Sequence, residues 1–328
     1  MDAQFDVVGI GNAMVDVLAK TSDAVLEAHG LTKGEMRLIN AEQAHALYAT
    51  LEAPVECSGG SAGNTMAGVA SLGRKGAYIG KVASDTLGRV FADDLKAAGI
   101  HFETKPLSNG PATARCIVLV TPDAHRTLNT YLGACVELSP SDIPVQLIAK
   151  SKVTYLEGYL WDPPRAKEAL LLAAKTARSA GRKVALSLSD AFCVGRHRQE
   201  FLDLVHDHVD ILFANETEIL SLYQCQTFEE AVRNVQGRCE VAVLTRSERG
   251  AVVVSHGESF TVPAEPVARV VDTTGAGDLY AAGFLAGYTE GRALGDCARI
   301  GAISAAEVIS HFGARPEVAL AQRVRDLM

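Results

Sequence analysis

The seven cysteines of this chain never stand in Cys-x-x-Cys spacing: Cys57, Cys116, Cys135, Cys193, Cys225, Cys239 and Cys297 are scattered, and their number is odd. That pattern points away from a zinc cluster and from a disulfide framework, so a reducing compartment, the cytoplasm, is the expected setting. Positive charge is also short, with 31 Lys and Arg against 39 Asp and Glu and a formal net charge of −8. Broad electrostatic capture of nucleic acid is therefore not expected, and any phosphate must be gripped locally. No apolar run reaches membrane-spanning length. The start, with Asp2, Gln4 and Asp6 leading into a short apolar strand, lacks the basic opening and apolar core of a secretory signal. Neither a membrane nor export is expected. The Gly-x-x-x-x-Gly-Lys-Ser/Thr phosphate loop is missing, Gly68 to Lys75 being the nearest approach, and His-Glu-x-x-His and Gly-x-Ser-x-Gly are missing too. Walker-type nucleotide binding, zinc proteolysis and α/β-hydrolase chemistry lose their usual signatures.

What is present is the balance of a packed protein, 48% hydrophobic and 21% charged over 328 residues. Short β-branched runs alternate with helical periodicity: strand Asp6 to Ile10, helix Ser61 to Leu72, strand Tyr78 to Val82, helix Gly88 to Ala98. The rhythm resumes with Val153 to Glu157, helix Pro164 to Ala180, Val184 to Leu188, helix Gln199 to His206, Ile211 to Ala214, helix Glu216 to Tyr223 and Val241 to Thr245. Such alternation predicts an α/β fold with a doubly wound, mainly parallel sheet and helices on both faces. Two stretches depart from it. Glu35 to Asn40 and Thr113 to Tyr131 read as alternating strands, with Pro122-Asp123 the clearest turn. They predict a small, discontinuous β lid drawn from residues 12–40 and 105–135 of a single domain spanning 1–328.

Four segments can build a site. Asp272-Thr273-Thr274-Gly275-Ala276-Gly277-Asp278 precedes the apolar helical segment Leu279 to Tyr288. Glycines at a helix start let a ligand approach the backbone, and the free N–H groups there, with the positive end of the helix dipole, form an anion pocket. Asp278 falls in the first turn beside that pocket, where a carboxylate can take the proton of an attacking hydroxyl; a plain helix-capping aspartate is the alternative. Gly59-Gly60-Ser61-Ala62-Gly63-Asn64 again opens a helix with small residues. The amide of Asn64, able to donate and accept, suits a polyol, while close helix packing alone would account for the glycines.

Gly11-Asn12-Ala13-Met14-Val15-Asp16 follows the first strand with Met14 where a dinucleotide fingerprint needs its last glycine. A nicotinamide oxidoreductase is disfavoured on that ground, and Asp16 becomes a candidate clamp for neighbouring hydroxyls or else a solvated turn carboxylate. Asn215-Glu216-Thr217-Glu218 follows a strand, and Asn215 with Glu218 offers oxygen ligands for magnesium through its retained waters. The same pair is equally a capping box.

In this order the four segments resemble the ribokinase and phosphofructokinase-B family, with Gly59 to Asn64 and Asp272 to Asp278 matching its two signatures. Within the family, Val209 to Glu218, Leu186 to Phe192 and Arg126 to Ala134 are most similar to adenosine kinases. The resemblance implies an ATP-dependent phosphotransferase acting on the 5′-hydroxyl of a nucleoside, adenosine favoured. Asp278 would be the general base, the amides of Gly275, Ala276 and Gly277 would meet the γ-phosphoryl group, and Asp16, Asn12, Gly59, Gly60 and Asn64 would hold the ribose. Asn215 and Glu218 would organise magnesium and phosphate, Arg126 would approach the phosphates when the lid closes, and Asp272, Thr274 and Gly313 would form a monovalent-cation loop activated by potassium. Thr245 and Ser247 would lie near the nucleotide phosphates, Ser247 replacing a glycine common in the family. Met36, where animal adenosine kinases carry glutamine, joins Leu38 and Tyr159 as an apolar slot for the base. Kinases for inosine, guanosine or a simple sugar keep every catalytic assignment, and an inactive nucleoside-binding protein is a further alternative. A monomer and a homodimer are both compatible with the sequence.

Overall fold

A computed structural model describes residues 3–123 and 125–328. Asp2 of the acidic start and Ala124 of the expected lid lie outside the described residues. The main sheet has nine strands: β1 (Phe5–Ile10), β5 (Gly76–Ile79), β6 (His101–Phe102), β9 (Ser151–Glu157), β10 (Lys183–Ser187), β11 (Ile211–Asn215), β12 (Val241–Thr245), β13 (Ala251–Ser255) and β14 (Glu258–Val262). Their spatial order is β14-β13-β12-β11-β10-β9-β1-β5-β6. All neighbours from β12 to β6 run parallel, and β13 and β14 add an antiparallel hairpin at one edge.

Side chains alternate across this sheet. Val7, Tyr155, Ala185 and Phe213 enter one buried cluster, and Val8, Leu156, Leu186 and Leu212 enter the other. Helices cover each face, which is why the strands read as unbroken apolar runs rather than alternating ones. The chain builds from β1 toward β5 and β6, then crosses back and extends from β9 to β12. Strand order thus reverses between β1 and β9, and the carboxyl ends on either side of that reversal form a crevice suited to a ligand.

The strands and helices expected from the sequence mostly stand where periodicity placed them, with ends shifted by a few residues. The largest shift is in β5, which ends at Ile79 rather than Val82. After it the chain turns away through Gly80, whose amide donates to the Thr104 hydroxyl (3.3 Å).

A second sheet of five strands follows the order β3-β8-β7-β2-β4, with β2 (Met14–Lys20), β3 (Met36–Leu38), β4 (Val55–Ser58), β7 (Ala114–Val120) and β8 (Arg126–Tyr131). Residues 14–20 continue as a strand, so no dinucleotide-type helix follows β1. β4 comes from outside the two stretches read as lid. Val15, Val17, Ala19, Ile117 and Leu119 bury one face of this sheet in the main core. The opposite face is set by register. Cys57, Asp16, Cys116, Thr130 and Leu38 stand in one row across β4, β2, β7, β8 and β3.

Candidate active site

The carboxyl ends of β1, β9, β10, β11 and β12, the cavity-facing side of the small sheet and the loop Thr273–Gly277 enclose a cavity of about 730 Å³. Asn12, Glu157, Ser187, Asn215 and Thr245, each at or just past a strand end, line it from the main sheet. Met14, Asp16, Met36, Leu38, Cys116, Val118, Leu128 and Thr130 line it from the small sheet.

Asp278 sits in the first turn of the helix Ala276–Thr289, whose residues Leu279 to Gly287 are all buried. The opening residue Gly275 has φ +80°, a left-handed conformation that an L side chain resists, and a Cβ there would press on the Ala314 backbone at 2.9 Å. The Asp278 carboxylate accepts from Ser61 Oγ (2.6 Å) and from Asn64 Nδ2 (3.0 Å), so the two glycine-opened helices meet at one acid. Loss of surrounding water pushes this carboxyl up to about 6, against the lowering by its two hydrogen bonds and by Arg315. The amide of Ala276 is engaged with the Thr273 carbonyl (3.2 Å), while those of Gly275 and Gly277 make no hydrogen bond among the described residues. The open donors of the loop are therefore Gly275 and Gly277 rather than all three residues.

Gly60 caps the helix Ser61–Ser71 with φ +82°, and a Cβ there would lie 2.3 Å from the Asn12 carbonyl oxygen. Gly59 does not line the cavity itself. Its bare backbone receives the Asp16 carboxyl, which a Cβ would meet at 2.4 Å. Asp16 is pushed up to about 6 by burial, opposed by Arg315 and Arg126 and reinforced by Asp278.

Asn215 and Glu218 form the capping box of the helix Glu216–Tyr223. Glu218 N donates to Asn215 Oδ1 (2.8 Å), and Asn215 N and Nδ2 donate to the two Glu218 oxygens (2.9 and 2.7 Å). Burial pushes Glu218 up to about 7, with Asp190 and Asp278 raising it further. Both residues line the cavity, and each Glu218 oxygen retains lone pairs for water. Among the described residues no group of three or more His, Cys, Asp or Glu is placed to hold a metal ion. This donor set fits a magnesium ion that keeps most of its waters and arrives with a nucleotide.

Arg126, on β8, pairs with Asp272 and donates to Thr274 Oγ1 (3.2 Å), linking the small sheet to the glycine loop. Asp272 also accepts from Gly313 N (3.0 Å), Thr274 N (3.0 Å) and Thr274 Oγ1 (2.7 Å). With its carboxylate so engaged, backbone carbonyls are what Asp272, Thr274 and Gly313 have to offer a cation. Thr245 lines the cavity at the end of β12. Ser247 does not; it lies in the tight turn Ser247–Arg249 with φ +53°, the conformation a glycine adopts freely. Met36, Leu38 and Tyr159 lie around the cavity with 59%, 64% and 42% of their surfaces exposed.

Four participants escaped the sequence analysis. Glu157, almost fully buried, accepts from Asn12 N (3.2 Å), Asn12 Nδ2 (2.7 Å) and Ala62 N (2.8 Å), and burial pushes it up to about 7. Its signal was there, a carboxylate closing an apolar parallel strand. Ser61 was visible in its motif but had no partner to suggest a role. Phe192, 80% exposed, stands at the cavity on the short helix Ala191–Arg196. Arg315 reaches Ser58 Oγ (3.0 Å) from a C-terminal loop that has no pattern of its own.

A doubly wound sheet with a polar crevice at its switch point, a glycine-opened helix start and an acid beside it suit phosphoryl transfer to a small molecule. The profile of the pfkB family carbohydrate kinases matches residues 30–319, and this chain belongs to that family. It is 53% identical to a solved adenosine kinase from Sinorhizobium meliloti, with a TM-score of 0.91 over 99% of this chain and 100% of that one. It is 51% identical to a solved probable sugar kinase from Rhizobium etli, also at 0.91, over 99% of each chain. Among curated proteins it is 26% identical to the adenosine kinase of Saccharomyces cerevisiae, over 94% of this chain and 95% of that protein. The chain is thus a nucleoside or sugar kinase that uses ATP and an alcohol acceptor. No helix among the described residues is long and apolar enough to cross a membrane.

Proposed function

We propose that this protein transfers the γ-phosphoryl group of ATP to the 5′-hydroxyl of adenosine, giving AMP and ADP. The observation that carries the reading is Asp278, held by Ser61 and Asn64 beside the open amides of Gly275 and Gly277. In the reaction the hydroxyl oxygen bonds to the γ-phosphorus, its proton passes to Asp278, and the bond from phosphorus to the β,γ-bridging oxygen breaks as ADP leaves with the electron pair. The Gly275 and Gly277 amides face the charge that spreads over the transferring group, and Arg126 shifts from Asp272 toward the phosphates. Asp16, Asn12, Gly60 and Asn64 hold the ribose. Met36, Leu38 and Tyr159, exposed at the cavity, cover the base.

Asn215 and Glu218 would hold a magnesium ion through its waters, and it would supply charge neutralisation and orientation of the phosphates. The carbonyls around Asp272, Thr274 and Gly313 would hold a potassium ion, which would steady the glycine loop. The small sheet acts as a lid that excludes water from the transfer. A cytoplasmic setting fits the free cysteines.

A simple sugar is the second reading, favoured by the probable sugar kinase at 51% identity. Turnover of magnesium-ATP across adenosine, inosine, guanosine, cytidine, ribose and fructose-6-phosphate, with potassium present or replaced by sodium, separates the two. Preference for adenosine supports the base pocket. Preference for a sugar overturns it while keeping the transfer chemistry, and no turnover on any acceptor overturns the reading as a whole.

A further inference from the structure

Asp16 is the least partnered acid of the cavity. Asp278, Glu157 and Glu218 each accept two or more hydrogen bonds, whereas the Asp16 carboxylate accepts none among the described residues. Its position comes from register, between Cys57 on β4 and Cys116 on β7, and from the bare backbone of Gly59 against which it rests.

A half-buried carboxylate that accepts no hydrogen bond depends on a nearby cation to favour its charged form. Arg126 is committed to Asp272. The other guanidinium is Arg315. Its Nη2 donates to Ser58 Oγ (3.0 Å) and lies 3.5 Å from where a Cβ on Gly63 would stand, so it is wedged onto the same Ser58–Gly63 turn that carries Gly59. It forms no direct ion pair among the described residues, and its Nε is buried without a partner. Asp16 rests on Gly59 of that same segment, so Arg315 acts on its carboxylate through space. The groups facing Asp16 are Arg315 from the C-terminal loop, Arg126 from β8 and Asp278 from the helix Ala276–Thr289. The thiols of Cys57 and Cys116 complete the set, pushed up by burial to about 11 and about 12 and so uncharged near neutrality.

We propose that Arg315 is a positioning residue that supplies the counter-charge of Asp16 without occupying it, leaving both carboxylate oxygens open to adjacent hydroxyls of the acceptor. The proposal rests on the reading of Asp16 as the acceptor clamp. A direct Arg–Asp pair would fill the oxygens that the substrate needs; a charge anchored on Ser58 keeps the acid ionised with its oxygens free of a protein donor.

The test titrates Asp16 in the whole protein by infrared difference spectroscopy, taking the carboxylate band that Asp16→Asn removes, in wild type, Arg315→Gln and Arg315→Lys. The midpoint is expected to move up by about one pH unit or more in Arg315→Gln and to stay near wild type in Arg315→Lys. With turnover followed in parallel, the acceptor KM should rise roughly tenfold in Arg315→Gln, more than kcat falls, and the acid limb of kcat/KM should move the same way. An unmoved midpoint in folded Arg315→Gln overturns the proposal. Should Arg315→Gln not fold, the double variant with Asp16→Asn is expected to recover the fold, and a double variant equally unfolded overturns it as well. The infrared titration reads the charge pairing even if no acceptor is turned over, so failure of the kinase reading and failure of this inference are distinguishable.

Discussion

Replacing Asp278 by asparagine preserves the size of the side chain and an acceptor for Ser61 but removes the proton acceptor. Turnover is expected to fall by between about 10²- and 10⁴-fold, the range of general-base contributions, with nucleoside binding by calorimetry nearly unchanged. Retained turnover would remove Asp278 from the chemistry. The same acid predicts a pH profile. A base works only unprotonated, and with Asp278 and Asp16 both at about 6, kcat/KM should rise as pH climbs through that value. Because the Asp278 charge raises Asp16, the two acids titrate as a pair, and Asp16→Asn should shift the limb downward. A rate profile flat between pH 5 and pH 7, measured at saturating ATP, would contradict the raised values at both groups.

The glycine-opened helix Ser61–Ser71 carries a prediction at the scale of elements. Gly60→Ala forces a side chain into a left-handed backbone and toward the Asn12 carbonyl, so the fold should lose about 1–3 kcal/mol in urea titration. Gly59 has ordinary backbone geometry, yet its Cβ would displace the Asp16 carboxyl. Gly59→Ala should therefore raise the acceptor KM well before it lowers stability; the reverse order would show that Asp16 can move aside. In the helix Glu216–Tyr223, Asn215→Ala removes an N-cap and should cost about 1 kcal/mol. A loss of turnover beyond that, rescued by raising magnesium, would separate a phosphate-organising role from the cap.

Four acids with raised values face a single cavity, and this sets how the whole molecule responds to pH. The folded state binds their protons more tightly than the unfolded chain, which titrates near 3.8 for Asp and 4.5 for Glu. Their contribution to stability is therefore full at acid pH and is lost as pH rises through about 6 for the aspartates and about 7 for Glu157 and Glu218. For the fully enclosed Glu157 the loss is on the order of 3 kcal/mol. The Tm should fall between about pH 4 and pH 7, and Glu157→Gln should flatten that fall; an equal slope in the variant would mean the cost lies elsewhere. A second consequence concerns the small sheet, which the Arg126–Asp272 pair ties to the glycine loop. Arg126→Ala should speed amide exchange in β7 and β8 while leaving β9 to β12 protected. Uniform protection would mean that the core-facing side of that sheet holds it without the latch.

Much of the doubly wound scaffold was legible because its strands and helices bury nearly continuous or strongly periodic apolar surfaces. β12, from Val241 to Thr245, and the helix Glu216–Tyr223 stand at the residues expected. The glycine-opened turns were legible for a related reason, since backbone that must approach other atoms within 2.3–2.4 Å of a would-be Cβ admits only glycine. β2 was missed because one of its faces enters the core while the other lines a cavity through Met14 and Asp16, which blurs the alternation that marks a half-exposed strand. Sequence alone thus determined the sheet, the glycine-opened turn and the acid beside it. Only the tertiary structure decided what surrounds that acid, because Ser61, Asn64 and Arg315 lie far from it in the chain and reach it only when strand order and register bring them together.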